Sequence, residues 1–232
     1  MHILKYLVNW RRITLERYYY NETYNKNLIG KVLSEFFILL LLCTIGMVFG
    51  RMFVPPQLAF LAAIGSIIVL IAAAVTRRSK NRNYSRLTCF AVAFLMGIST
   101  YPTILYYISY IGSQMVLISL GITTAIFGGL ALYSSKTKRD FSFLGSTLFV
   151  GLIAMILISF VGFFIRSEVY HLALAWLGIM IFSGYVLYDV SIIRSGAFTE
   201  DDVPMLALNL FLDFINIFIY VLRIVSRFSS RD

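Results

Sequence analysis

Two aspartates, Asp189 and Asp213, stand inside long apolar runs near the end of a 232-residue chain. An ionisable group in a hydrocarbon environment is costly, and where one is kept it marks a pathway, a proton relay or an internal ion pair. Around the second aspartate, Asn209, Asp213, Asn216, Tyr220 and Arg223 are spaced by four, three, four and three residues. At 3.6 residues per turn these side chains fall on one narrow face of a helix that is otherwise nearly all Leu, Ile, Phe and Val. Such a stripe must look into a bundle or toward water, while the remaining faces meet lipid or neighbouring helices.

The turn between the two aspartate helices sets their depth. Gly196 suits the end of one helix, and Pro204, following Glu200, Asp201 and Asp202, suits the first turn of the next. At roughly 1.5 Å per residue, Asp189 lies about 10 Å from that turn and Asp213 about 13 Å, so the carboxyls are expected at similar depth on antiparallel neighbours. Two carboxylates held close in low dielectric cannot both ionise cheaply, and one proton tends to be shared. Losing that proton raises repulsion between the helices, which makes the pair a pH sensor able to bias open against closed packing. Calcium prefers six to eight oxygens, so two aspartates offer a weak transit site rather than a tight one. In the competing arrangement, Asp189 pairs with a basic side chain and Asp213 with Arg223 or an amide, and both are purely structural.

The elements that must position these groups follow from composition. The chain is 59% hydrophobic and 13% charged, with a mean hydropathy of +0.83, too apolar for a soluble globule of this size. A bilayer core about 30 Å thick takes roughly 20 apolar residues per helix. Runs of that kind predict helices at about 29–50, 58–76, 87–108, 113–133, 141–165, 170–193 and 204–226. The expected fold is an all-α, seven-transmembrane-helix bundle over residues 28–232, preceded by a cytoplasmic or interfacial arm at 1–27. That arm lacks the apolar core and cleavage site of a secretory signal. The connections are short, leaving no room for a separate soluble domain.

A net charge of +9 would suit nucleic acid, but its distribution points to topology and no nucleic-acid partner. Six basic residues precede or open the first helix, five (Arg77, Arg78, Lys80, Arg82, Arg86) follow the second, and three (Lys136, Lys138, Arg139) follow the fourth. The intervening loops carry little beyond Arg51 and Arg166. The positive-inside rule then puts the N-terminus in the cytoplasm, and the C-terminus outside if the last helix spans. Arg223, Arg227 and Arg231 fit that end poorly, and a re-entrant last segment would bring them back.

Other chemistry is thin. Cys43 and Cys89 each sit in an apolar run, where they serve as small hydrophobes. His2 is terminal and His171 opens a helix, without the company a transition-metal site needs. Intramembrane aspartyl proteases also pair two aspartates, but Leu210, Phe211 and Leu212 precede Asp213 where a glycine-flanked aspartate is required. A retinal Schiff base needs a lysine in the last helix, and none follows Lys138. No enzymatic activity and no tightly bound cofactor are expected.

Several segments carry a resemblance. Tyr188-Asp189, the acidic turn through Thr199-Glu200-Asp201, and Leu210-Phe211-Leu212-Asp213-Phe214-Ile215-Asn216, with the aspartates 24 residues apart, are similar to the paired-aspartate signature of the Bax inhibitor-1 (transmembrane Bax-inhibitor-motif) family. Lys138-Arg139-Asp140-Phe141-Ser142-Phe143-Leu144 and Phe53-Val54-Pro55 look like its bacterial branch. The resemblance covers Leu28 to Asp232. It implies a seven-helix protein of the bacterial cytoplasmic membrane that acts as a pH-sensitive calcium leak, with calcium as permeant ion and protons as effectors. By position, Asp189 and Asp213 are the gate, Arg77 is the cation for Asp189, and Arg223 is the further polar partner. One departure stands out: eleven positions before the helix-two arginine, where that branch has an acid, this chain has Ser66. The alternative role the family suggests is a non-transporting regulator that binds a membrane protease or a survival partner.

Overall fold

The computed structural model describes the backbone of residues 2–76, 82–137, 139–162, 164–165 and 167–229, with side chains from within 27–70 and 86–229. Arg77, Arg78, Lys80, Lys138, Arg166 and Arg231 lie outside the described residues. What is described is helical: α1 (His2–Phe53), a 3-10 turn at Pro56–Leu58, α2 (Ala59–Thr76), α3 (Arg82–Lys136), α4 (Leu144–Val161), α5 (Glu168–Ser195), a 3-10 turn at Glu200–Asp202, and α6 (Val203–Ser229). Among the described residues, five helices are long and apolar enough to cross a membrane, those over Asn27–Phe53, Arg86–Lys136, Leu144–Val161, Glu168–Ser195 and Glu200–Ser229. The described apolar part of α2, Pro56–Leu70, is shorter.

Helix ends follow local chemistry. Neither Gly nor Pro occurs before Gly30, so no breaker separates the N-terminal arm from the first apolar run, and α1 is continuous from His2. α4 is shorter than the expected 141–165. Ahead of it, the Asp140 carboxylate accepts from the Ser142 amide at 2.9 Å and from its hydroxyl at 2.8 Å, a local turn that competes with helix. Those two donors also hold the exposed Asp140 carboxyl below the usual carboxylate range.

The 55 residues of α3 would make a straight rod about 80 Å long, more than twice the thickness of a bilayer core. The rod is broken at Gly112, where φ is 84° and ψ is 159°, a conformation open to glycine because it has no Cβ. Phe127 packs against the same cluster as Cys89 and Val92, which a straight helix would place about 50 Å away. The chain therefore doubles back at Gly112, between the two helices expected at 87–108 and 113–133.

α6 is the axis of the bundle, in contact with α1, α3 and α5. Leu206, Leu208, Leu210, Phe211 and Phe214 of α6 share one buried cluster with Leu28, Val32, Phe36 and Leu39 of α1, with Val92 and Ala93 of α3, and with Ile193 of α5. Cys43 and Cys89 are free, buried members of it, packing as small hydrophobes. α4 is peripheral, burying Leu148 and Met155 while exposing Phe149, Leu157 and Phe160, as a lipid-facing helix does.

α1 and α3 approach backbone to backbone, where a Cβ on Gly97 would stand 2.9 Å from the Cys43 carbonyl carbon and the Met47 amide nitrogen. Small residues permit such contacts between membrane helices. Gly97→Ala should therefore lower stability by about 1–3 kcal/mol. Gly128→Ala, with nothing within 4 Å of the added carbon, should be neutral or gain up to about 1 kcal/mol of helix propensity. Melting the two variants in detergent beside the wild type checks both signs.

Candidate functional site

The hairpin that carries the aspartates is built from strong local signals. Ser167 caps α5 by accepting from the Tyr170 amide, and Gly196 ends it in the left-handed conformation at φ 67°. Thr199 and Asp202 form a capping box, with Asp202 Oδ2 accepting from the Thr199 amide at 3.0 Å and its hydroxyl at 2.9 Å. Pro204 falls in the first turn of α6, as the sequence implied. In the last turn of α5, Arg194 donates to the carbonyls of Ser134, Thr137 and Arg139, tying the end of α3 to the same end of the bundle.

This hairpin brings the two carboxyls together. Asp189 is 2% exposed and Asp213 is 4% exposed. Their side chains are in hydrogen-bonding contact with each other, and the Asn209 side chain reaches Asp189. Among the described residues, Asp189 Oδ1 and Asp213 Oδ2 have no hydrogen-bond partner. A buried carboxyl oxygen left in that state is costly and marks a place where a proton, a water or a cation would be stabilised. Among the described residues, the two carboxyls meet each other, with an amide, Asn209, beside Asp189. The expected cation, Arg77, lies outside the described residues.

The polar stripe coincides with the least buried line of a helix otherwise enclosed. Asn209, Asn216, Tyr220 and Arg223 are half-buried, while Leu208, Phe211, Ile217 and Leu222 are fully enclosed. The line faces α5. Tyr220 stacks on Phe182 at 6.1 Å between ring centroids and lies where a side chain on Gly178 would otherwise be. The Asn216 amide donates to its own helix, at Leu212 O, 2.7 Å away. Arg223 does not meet Asp213. It lies some ten residues, about 15 Å, further along α6, with its guanidinium carbon 6.0 Å from the Tyr220 ring centroid.

A third buried carboxylate was not legible as such from the sequence. Glu35 of α1 is 2% exposed, pairs with Arg86 of α3, and leaves Oε2 without a partner among the described residues. Its spacing of three and four from Val32 and Leu39 puts it on the buried face of α1, the one signal that would have flagged it. Phe36 beside it meets Phe214, next to Asp213, at 6.1 Å between ring centroids. Ser66, in place of the resembled acid, is buried and satisfied by its own helix, donating to Ala63 O at 2.7 Å.

Comparison with known proteins shows the family. The family described as "Inhibitor of apoptosis-promoting Bax1" matches residues 25–230, and the chain belongs to this Bax inhibitor-1 family of membrane proteins. Relatives include an uncharacterized membrane protein of Vibrio cholerae serotype O1, 31% identical over 173 residues, 74% of each chain. Protein lifeguard 4 of Mus musculus is 31% identical over 176 residues, 76% of this chain and 71% of its own. The Golgi anti-apoptotic protein of vaccinia virus (strain Lister) is 30% identical over 171 residues, 73% of this chain and 69% of its own.

The Glu35–Arg86 pair is asymmetric, with the Glu35 side chain 2% exposed and that of Arg86 48% exposed. Arg86→Met strands a buried charge and should cost the more of the two, up to about 3 kcal/mol. Glu35→Gln leaves behind only a half-solvated guanidinium and should cost less. The double variant should recover most of the Arg86→Met loss, measurable as a double-mutant cycle of unfolding midpoints in detergent.

Proposed function

We propose that this protein is a calcium leak of the bacterial cytoplasmic membrane, passing calcium slowly down its gradient and gated by a proton shared between Asp189 and Asp213. The observation that carries this reading is the contact of two buried carboxyls on adjacent helices, each keeping one oxygen without a partner among the described residues. With the shared proton in place the α5–α6 seam holds. When the proton leaves, two like charges in low dielectric repel and the seam opens. Asn209, Asn216 and Tyr220 line the half-buried face beside the pair. Two carboxylates and one amide fall short of a full calcium shell, which suits brief occupancy by a passing ion rather than storage. The protein needs no resident cofactor and catalyses no covalent step.

In this reading the bundle has seven crossings, counting α2 and both arms of α3, with the N-terminus in the cytoplasm on the strength of the basic loops. Reporter tags at the two ends should then fall on opposite sides of the membrane; tags on the same side would replace the last crossing by a re-entrant segment.

Relatives named for anti-apoptotic action favour a second reading, a regulator that binds a membrane protease or survival partner and uses the aspartates only structurally. Flux into proteoliposomes holding a calcium indicator separates the two. Wild type should leak above empty liposomes with a pH dependence across pH 6–8 that Asp213→Asn flattens or shifts. No flux at any pH would leave the regulatory role.

A further inference from the structure

At the end of the bundle opposite the acidic turn, the Gly112 bend, the start of α5 and the last turns of α6 surround a cavity of about 170 Å³. Its lining is polar for a membrane protein. Arg227 pairs there with Glu168 of α5. Arg223, half-buried, enters the same space with no carboxylate partner among the described residues, resting only near the Tyr220 ring. Among the described residues, two guanidinium groups against one carboxylate give this cavity a net positive charge. Tyr106, Tyr107 and Tyr110 complete the wall. Tyr107 is buried against Phe218 and Leu222, while Tyr106 and Tyr110 stack at 5.7 Å and are 58% and 53% exposed.

An unpaired guanidinium at the rim of a bilayer needs an anion. Its fork of fixed donors fits the oxygens of a phosphate two at a time, where a lone chloride or water uses only one. Phenol hydroxyls add donors of the right reach, and tyrosines concentrate where headgroups lie. On either side of Glu168, Phe164 and Val169 are 81% and 77% exposed, giving an apolar track beside the cavity for the chain of an amphiphile.

We propose that this cavity is a phosphate-binding site in which Arg223 is the principal cation, Arg227 the second, and the exposed tyrosines the rim. The phosphate arrives as the headgroup of an anionic phospholipid or as the free ion. Bound phosphate would cross-link α6 and the α3 bend, because the arginines come from the one and the tyrosines from the other. The arginine misplaced by simple charge topology thus acquires a ligand outside the gate.

The test is a melting experiment on the full chain in detergent, with short-chain phosphatidic acid, inorganic phosphate, or neutral diacylglycerol of equal chain length. Wild type should gain on the order of 5 °C at a hundredfold excess over Kd with phosphatidic acid. Diacylglycerol should give nothing, Arg223→Gln should abolish the gain, and Arg223→Lys, charged but without the fork, should keep part of it. An equal gain from inorganic phosphate alone supports the site with the free ion as ligand. A response no larger than that to diacylglycerol, or one undiminished in Arg223→Gln, overturns the proposal. Should Arg223→Gln fail to fold, Arg223→Lys decides it, since an unchanged response there also overturns it.

Discussion

Lipid offers no hydrogen bonds, so every polar group inside this bundle must find its partner in protein or remain a source of free energy for something else to bind. The Asp189–Asp213 contact is where that constraint presses hardest. Each carboxyl partly satisfies the other, yet one oxygen of each stays unmatched among the described residues. Keeping such a pair requires that α5 and α6 cannot drift apart or slide. Much of the surrounding structure serves that end: the capping box at Thr199 and Asp202, the left-handed Gly196, and Arg194 gripping the end of α3.

Two further ion pairs brace the same end through α1. Lys31 meets Glu200 of the turn, and Glu35 meets Arg86. The first is exposed and contributes little on its own. The second has one buried and one half-exposed partner, so its value is conditional: present, it locks α1 to α3; broken on the arginine side, it strands a charge. Beside Glu35 and Asp213 in the chain, the rings of Phe36, Phe127 and Phe214 form an aromatic cluster, with neighbouring centroids 5.4 to 6.1 Å apart. It joins α1, α3 and α6.

The opposite end of α6 is organised differently. There the arginines that fit poorly with charge topology are absorbed locally, Arg227 by Glu168 and Arg223 by an aromatic-lined cavity. The polar stripe therefore joins two unlike environments along one helix, acidic near the turn and basic at the far end, with Tyr220 packed on Gly178 between them.

The amino-acid sequence by itself determined the membrane character, the existence of the long apolar helices, the hairpin signals at Gly196 and Pro204, and the two aspartates, because these depend on composition, run length and local backbone chemistry. Periodicity also placed the stripe on one face of α6. It could not name the neighbour across that face, since 3.6-residue spacing fixes direction around a helix axis and not what lies there. Only tertiary structure decided that Asp189 meets Asp213 and Asn209, that Arg223 stays clear of both, and that Glu35 is buried beside Arg86 some fifty residues away. The same holds for the central place of α6, which is set by long-range packing, in which one apolar helix is interchangeable with another until their surfaces meet; the break at Gly112, by contrast, falls between two helices already expected from the sequence.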